Sequence, residues 1–431
     1  MNLEDMILVS VDDHAVEPPN MFDGRLASKY VGSAPRVVAS EHGHFRWVFE
    51  DAASPSLTTA ATVGRPKSDK FEEPKSFDEV RPGVYDIHER VKDMSANGVL
   101  AGLNFPSFPR FCGQLFMQAA KSDPELALAV TRAYNDWHVE GWCGAYPGRF
   151  LPCILTPLWN PDLMAEEVRR NAERGCHAVT FSMNPYRLGL PSLYTDHWDP
   201  FWAACEETET VVCMHLGSDS EEVYTSPDAS VLSRITAITF MLAKTASDLV
   251  WSPMIKKFPN LKFAMSEGGI GWVPYFMERA DYVYETRVGF LPEHELYGKL
   301  PSDIFKERIV TCFIEDVSGT DNIRWFNTDM VTWECDYPHP DSTWPLSPES
   351  VQKNLQAFDD ELVNKITHEN AMRIFSFDPF AVRPKEQCTV GALRSEVAGR
   401  DVAITPGRQM SAAAQVSGAT QASVSLTALA G

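Results

Sequence analysis

Several short apolar runs in this sequence end in side chains that bind metals or transfer protons. Such groups follow five of the runs: Asp12 with His14, His215, Glu267, Glu315 with Asp316, and Asp336 with His339. Burying a carboxylate or an imidazolium without a partner costs free energy. A divalent cation shared by several of these groups would compensate their charge. The sequence therefore predicts a metal site.

The spacing of Asp12 and His14 suits the binding of one ion. The two residues are two positions apart, so on a β-strand their side chains point to the same face, whereas Asp13 points away and is predicted to support them. Glu267 precedes two glycines, which let the backbone approach a ligand closely. The predicted metal ligands are Asp12, His14, His215, Glu267 and Asp336. This mixed nitrogen and oxygen set favours Zn, Mn or Fe(II) over Ca or Mg.

The apolar runs that carry these residues predict the fold class. Eight β-rich runs occur at residues 7–11, 99–105, 150–156, 177–182, 210–215, 261–266, 309–314 and 330–335. Helical patterns separate them at residues 86–97, 124–145, 163–174, 198–207, 229–245 and 272–288. Alternation of this kind predicts an α/β protein with a parallel sheet, and eight units favour a (β/α)8 TIM barrel over a doubly wound sheet. The strand ends would then share one active face.

Two segments depart from the alternating pattern. Residues 20–85 form an insertion after strand 1 that is rich in Pro, Ser and Thr, contains a predicted strand at Phe45–Phe49, and is interpreted as a cap or lid. Residues 383–431 are rich in Ala, Ser, Gly, Thr and Val and are predicted to be a flexible C-terminal tail. The predicted barrel domain therefore spans residues 1–382.

The composition of the chain limits the classes of binding partner and the cellular compartment that we expect. The chain has 431 residues, and its 59 acidic against 38 basic residues give a net charge of −21, which disfavours nucleic acids and anionic membranes. Its nine cysteines are dispersed and form no CxxC pair, which is typical of reduced thiols. There is no signal peptide pattern and no apolar run of membrane-spanning length. We expect a cytoplasmic protein acting on a small molecule.

Five motifs, in order, carry a resemblance to a known family. They are SVDDHAVEPP, MHLGSD, SEGGIGWVPYFMERAD, WECDYPHPD and ITHENAMRIF. Between residues 6 and 378 the chain resembles the amidohydrolase superfamily. It is similar to the amidohydrolase-2 branch, which includes aminocarboxymuconate-semialdehyde decarboxylase and related aromatic-acid decarboxylases. The resemblance implies a distorted TIM barrel with metal at its mouth, and a homodimer.

The resemblance assigns roles to individual residues. The family opens with His-x-His; here Asp12 takes the first position and His14 the second. His215 matches the strand-five metal histidine, and Asp336 matches the strand-eight aspartate that binds metal and acts as a base. Glu267 stands where the decarboxylases carry a histidine, so it is interpreted as a metal ligand or a general base.

The resemblance leaves the number of ions open at one or two. Binuclear members carry a strand-four lysine or glutamate, whereas strand four here ends in residues 182–184, Ser-Met-Asn. A second ion would need another bridging group, for which Glu267, Glu17 and Glu315 are the candidates.

The predicted activity is metal-dependent hydrolysis of an ester, thioester or amide. In this mechanism Asp336 moves the proton of an activated water and His339 holds an oxyanion or carboxylate. Carboxylate-rich ligation resembles the nonheme di-iron thioesterase type, so a thioester is favoured. The alternative is metal-dependent, non-oxidative decarboxylation of an aromatic or unsaturated acid. A metal-dependent binding module without catalysis is the third hypothesis.

Overall fold

The computed structural model describes residues 1–39, 43–54, 56–66, 72–221, 223–291, 296 and 298–403. Parallel strands that alternate with helices dominate the described chain. In chain order the strands are β1 (Val9–Ala15), β2 (Arg36–Ala39), β3 (Phe45–Phe49), β4 (Ala52–Ala53), β5 (Ala101–Pro106), β6 (Phe150–Leu151), β7 (Cys153–Ile154), β8 (Ala178–Phe181), β9 (Val211–His215), β10 (Phe263–Ser266), β11 (Ile309–Phe313) and β12 (Val331–Trp333).

The parallel strands form a closed barrel. β1, β5 and β6 pair in that order, and β7 to β12 pair in sequence order. β6 and β7 are two halves of one predicted strand, interrupted at Pro152, which has no N–H to donate. The barrel closes where the N–H of Asp336 donates to the carbonyl of Asp12 (2.8 Å) and the N–H of His14 donates to the carbonyl of Tyr337 (2.7 Å). The predicted (β/α)8 barrel is confirmed.

Helices follow the strands and pack around them. They are α1 (Ile87–Asn97), α2 (Gln114–Ala119), α3 (Pro124–Asp136), α4 (Pro161–Ala172), α5 (Asp199–Glu207), α6 (Val231–Ile238), α7 (Met241–Trp251), α8 (Met254–Lys257), α9 (Val273–Arg287), α10 (Pro301–Arg308), α11 (Val317–Asp321), α12 (Ser347–Leu355), α13 (Asp360–Asn364), α14 (Asn370–Ile374) and α15 (Val390–Glu396). None of the helices in the described ranges combines the length and apolar character that crossing a bilayer requires.

Local signals explain where these helices begin and end. Asp86 caps α1 by accepting the N–H of His88, and Gly98 ends the helix in the left-handed conformation (φ 77°), as the pattern at residues 86–97 predicts. The pattern at residues 229–245 predicts one helix, but the structure divides this segment between α6 and α7. The pattern at 124–145 is α-helical to Asp136 and continues as a π-helical turn, Trp137–Trp142.

The insertion after β1 contains a small antiparallel sheet of β2, β3 and β4, which includes the predicted strand Phe45–Phe49. Trp47 is fully buried, and its ring stacks on Phe108 at a centroid distance of 4.2 Å. The N–H of Val63 donates to the carbonyl of Pro338 (2.9 Å), which follows β12. The insertion therefore packs against the loops at the mouth of the barrel.

The prediction of a flexible tail from residue 383 is wrong for residues 383–403. Thr389 caps α15, whose Val390 and Leu393 are fully buried. The N–H of Val390 also donates to the carbonyl of Met6 (2.8 Å). Apolar residues three positions apart give this helix a buried face despite the tail-like composition. Residues 404–431 lie outside the described residues.

Candidate metal centre

The end of β1 places Asp12 and His14 inside the mouth of the barrel, and both side chains are fully buried. Nε2 of His14 lies 3.5 Å from Oδ1 of Asp12. Backbone hydrogen bonds to the segment after β12 fix this strand end. Asp13 points away, accepting the N–H of Tyr337 (3.0 Å), as alternation along the strand predicts.

His215, the last residue of β9, has one ring nitrogen free for a ligand. Its Nδ1 lies 2.6 Å from the carbonyl of Leu216, to which it donates. This bond leaves the lone pair on Nε2, which faces Nε2 of His14 at 3.1 Å and Oδ2 of Asp12 at 3.4 Å. Two imidazole lone pairs that face each other repel unless a cation or a proton lies between them.

The segment after β12 supplies Asp336 and His339. Asp336 adopts a left-handed backbone conformation (φ 56°) that turns the chain back toward β1. Its Oδ1 lies 3.5 Å from Nε2 of His14 and 3.0 Å from Nδ1 of His339. The His339 ring lies against the His14 ring, with a centroid distance of 3.8 Å.

The donor atoms of these residues fit a divalent cation. Two groups, Asp12–His14–His215 and His14–Asp336–His339, have ligand atoms within 4.8 Å of one another and share His14. All carboxylate oxygens of Asp12 and Asp336 are buried, and none accepts a well-aligned hydrogen bond from the described residues. Ring nitrogens of His14, His215 and His339 lie 3.0 to 3.5 Å from these oxygens. Buried polar atoms are rarely left unpaired, so these oxygens mark where a cation would bind.

Glu267 lies at the edge of this set. It follows β10 in a left-handed conformation (φ 67°), and its Oε2 is 3.6 Å from Nε2 of His215. Its side chain is 22% exposed, whereas those of Asp12 and Asp336 are fully buried. The geometry leaves Glu267 able to contact both an ion and a substrate.

The electrostatics of the site favour a bound cation. Burial raises the pKa of Asp12, raises that of Asp336 well above its usual range, and raises the pKa of Glu267 to about 8. Burial opposes the charge of His215, but the nearby Asp12 and Glu267 raise its pKa to about 9. Because their pKa values are raised, Asp12, Asp336 and His215 hold protons more readily without a metal, and a divalent cation bound by these three residues would displace those protons.

An open cavity leads to the centre. It is lined by Thr59, Phe111, Leu216, Arg234, Ile235, Ile238, Thr239, Glu267, His339, Pro340 and Asp341. Apolar atoms make up most of the exposed surface of the wall, and Thr59 comes from the insertion. The Phe111 ring lies 4.1 Å from the His215 ring, centroid to centroid. The cavity therefore offers an aromatic face beside the metal ligands.

Neither of two proposed bridging residues can reach a second ion. Glu17 is fully buried, and both its oxygens already accept hydrogen bonds: Oε1 from the N–H of Ser107 and the hydroxyl of Tyr134, Oε2 from the N–H of Phe108. Oε1 of Glu315 instead accepts the hydroxyl of Ser350 in an exposed position. Glu17 and Glu315 as bridging ligands are therefore wrong.

Sequence reasoning missed the residues that hold the ligands in place. Arg90 is fully buried on α1 and donates to the carbonyls of His14 and Gly83. Glu334, two residues before the predicted ligand Asp336, accepts the N–H of Glu267 (3.1 Å). The only signal in the sequence was that Glu334 belongs to the polar end of the last apolar run.

A barrel with nitrogen and oxygen ligands at the carboxyl ends of its strands is a metal-binding enzyme scaffold. The sequence model of the amidohydrolase family matches residues 40–377, and the chain belongs to this family. The superfamily predicted from the five motifs is confirmed. The comparisons do not support the di-iron thioesterase type.

Individual relatives show how far the similarity extends. Gamma-resorcylate decarboxylase of Rhodococcus jostii (strain RHA1) is 27% identical over 221 residues, which cover 48% of this chain and 63% of that protein. The match thus spans less than two thirds of that relative. The structure of an amidohydrolase from Mycobacterium avium subsp. paratuberculosis K-10 superposes with a TM-score of 0.66 at 19% identity, covering 86% of this chain and 99% of that one.

A second solved structure contains a metal. It is 5-carboxyvanillate decarboxylase from Novosphingobium aromaticivorans DSM 12444, complexed with manganese and 4-hydroxy-3-methoxy-5-nitrobenzoic acid. Its TM-score is 0.59 at 16% identity, with coverage of 88% of this chain and 100% of that one. At this identity the likeness establishes the fold.

Proposed function

We propose that this chain is a metal-dependent, non-oxidative decarboxylase of a small aromatic carboxylic acid. The observation that carries the proposal is the cavity, in which the Phe111 ring, the carboxyl group of Glu267 and the imidazole of His339 surround the metal-ligand set. Two of the relatives are decarboxylases of substituted benzoic acids. They support decarboxylation over the thioester hydrolysis predicted from the sequence.

Asp12, His14, His215 and Asp336 would hold one divalent cation, with manganese favoured by the relative that contains it. Bound there, the cation would bind oxygen atoms of the substrate and offset their negative charge. Phe111 would position the planar ring by stacking. The apolar residues Leu216, Ile235 and Ile238 would exclude water from the reacting carbon.

Glu267 is the proposed proton donor. Its carboxyl group lines the cavity, whereas the Asp336 side chain is completely buried. The proton would move from Glu267 to the ring carbon that bears the carboxylate. The bond between this ring carbon and the carboxylate carbon would then break. Its electron pair would restore the aromatic ring, and the carboxylate would leave as CO2. Glu267 would regain a proton from water at the cavity mouth.

Hydrolysis is the second candidate function, favoured by one contact. Oδ1 of Asp336 lies 3.0 Å from Nδ1 of His339, and such an aspartate and histidine could pass a proton from water to a leaving group. The bond cleaved would be a thioester, ester or amide.

The two candidates differ in their product. Mn²⁺-loaded protein would be incubated with 2,6-dihydroxybenzoate, 5-carboxyvanillate and other hydroxybenzoates, and CO2 release measured by mass spectrometry with isotope-labelled carboxylates. A parallel panel of thioesters, esters and amides would be assayed for thiol, alcohol and amine release. Decarboxylation predicts CO2 that requires the metal. Thiol, alcohol or amine release without CO2 would overturn the proposal and establish hydrolysis.

The proton-donor role is tested with Glu267→Gln, which keeps the volume of the side chain and removes its acidic proton. We expect kcat for CO2 release to fall about 100-fold with Mn²⁺ still bound, because general acid catalysis contributes roughly 10²–10⁴-fold. Glu315→Gln is the matched control, since Glu315 bonds Ser350 away from the cavity. Unchanged kcat in Glu267→Gln would exclude Glu267 as the donor.

A further inference from the structure

We infer that Glu334 is a positioning residue that holds the Glu267 carboxyl group at the wall of the cavity. The inference rests on the proposed role of Glu267 and extends that role to a side chain outside the cavity. Glu334 follows β12 and is 1% exposed. Its neighbour Asp336 belongs to the metal-ligand set, whereas Glu334 is absent from both candidate ligand groups and from the cavity wall.

The backbone of Glu267 needs such a support. Its φ of 67° is left-handed, a conformation that residues with a Cβ rarely adopt because the Cβ approaches the next carbonyl. A Cβ on the following Gly268 would lie 2.1 Å from Cδ1 of Leu242, so this turn packs closely against α7. The turn is therefore fixed between α7 and the interior of the barrel.

Glu334 supplies the interior contact. Its Oε2 accepts the N–H of Glu267 at 3.1 Å, which satisfies the donor that the turn directs into the barrel. The backbone of Glu334 is anchored in turn, because its N–H donates to the carbonyl of Phe313 at the end of β11 (3.1 Å). The thiol of Cys312 donates a second hydrogen bond to the same Oε2, with Sγ at 2.6 Å.

A second carboxylate holds the far end of the same loop. Oδ2 of Asp316 accepts the N–H groups of Ile270 and Gly271, both at 2.7 Å, and its Oδ1 accepts the N–H of Gly319. The loop is thus fixed at both ends by carboxylates from the next two strand ends. Of these two carboxylates, only Glu334 bonds residue 267 itself.

The test compares Glu334→Met with Glu334→Gln. Methionine keeps most of the volume and removes the acceptor, so Glu267 should move and kcat for CO2 release should fall about 10- to 100-fold, because small misplacements of a catalytic group cost rate on this scale. KM should change less than about threefold, since Glu334 does not touch the cavity. Glutamine retains an acceptor oxygen and should restore kcat to within about threefold of the native enzyme.

Two further variants test whether Glu334 acts on the rate through Glu267. Cys312→Ala removes the other contact of Oε2 and should leave kcat within about threefold of native. In a Glu267→Ala background, Glu334→Met should cause no additional loss of CO2 release, because a residue that acts through Glu267 has no effect once that side chain is gone. Equal losses in both backgrounds, or a native kcat in Glu334→Met, would overturn the inference.

A crystal structure of Glu334→Met separates this inference from the proposed function. We expect residue 267 to leave the left-handed region and its Oε2 to move away from Nε2 of His215. This readout requires no substrate, so it decides the positioning role even if CO2 is never released. An unchanged Glu267 in the variant would overturn the inference. Glu334→Ala, which leaves space for a water molecule, replaces the methionine variant if that protein does not fold.

Discussion

At the scale of single residues, His14 links the two halves of the candidate metal centre. Its Nε2 lies 3.1 Å from Nε2 of His215 and 3.5 Å from carboxylate oxygens of both Asp12 and Asp336. The residue is completely buried, and its backbone N–H and carbonyl are both bonded, the latter by Arg90. A buried residue whose backbone is anchored on both sides loses little entropy on binding an ion.

We expect His14→Ala to weaken Mn²⁺ binding by at least about 100-fold, since loss of even a supporting partner of a metal ligand costs 10- to 100-fold. Isothermal titration calorimetry with Mn²⁺ on metal-free protein measures the change. His88→Ala is the control, because His88 bonds Tyr146 at an exposed position. Native affinity in His14→Ala would contradict the metal assignment.

At the scale of elements, the loop from β5 to α2 forms one wall of the cavity. Ser107 and Phe108 donate their N–H groups to Glu17. Further along the loop, the ring of Phe111 packs against the rings of His14 and His215. The hydroxyl of Tyr134 on α3 donates to the same carboxylate at 2.9 Å. The carboxylate of Glu17 therefore joins the end of β1, the loop and α3, and so fixes the cavity wall relative to the ligands.

Glu17→Gln should destabilise the protein by about 1–3 kcal/mol, because the amide NH2 would face a backbone donor and leave it unpaired. Tyr134→Phe should cost only about 1 kcal/mol, since both backbone donors keep their acceptor. Urea unfolding measures the two changes, provided that the transitions are two-state. A larger loss in Tyr134→Phe would show that the hydroxyl, rather than the backbone N–H groups, holds the loop.

At the scale of the whole molecule, buried ionisable groups connect the metal centre to stability. Burial raises the pKa of Asp13 and of Glu17 to about 7 and that of Glu267 to about 8, while acidic neighbours raise the pKa of His215 to about 9. Between pH 6.5 and 8 the folded metal-free protein therefore binds protons that the unfolded chain has released. Titration of these four groups lowers the free energy of unfolding as the pH rises through this range. Four buried histidines, whose pKa values burial lowers, act in the opposite direction around pH 6.5: His14, His138, His339 and His368.

We expect the Tm of the metal-free protein, measured in a chelator, to decrease by a few degrees from pH 6.5 to pH 8. Metal binding requires deprotonated ligands, so stabilisation by saturating Mn²⁺ should increase over the same range. Thermal unfolding at both pH values, with and without Mn²⁺, measures both trends. A metal-free Tm that rises with pH would show that these carboxyl groups are already ionised at pH 6.5.

The sequence by itself determined the barrel and indicated the residues of the candidate metal centre. Each barrel strand is an apolar run of a few residues, and five of the eight runs end in carboxylates or imidazoles. This pattern is local, so it can be read without the fold. The residues that the structure brings together around His14 were named from such strand ends. Two predictions failed where composition and tertiary packing disagree: the segment 383–403, which forms a packed helix, and the single pattern at 229–245, which is two helices.

Only the tertiary structure decided what each carboxylate does. Glu17, Glu267, Glu315 and Glu334 are the same residue type, and all lie at or just after strand ends. Glu17 accepts three hydrogen bonds in the core, and Glu267 lines the cavity. Glu315 bonds a serine on the surface, and Glu334 supports the turn at Glu267. These roles depend on contacts with residues distant along the chain, and such contacts exist only once the barrel has closed and the insertion has packed on its mouth.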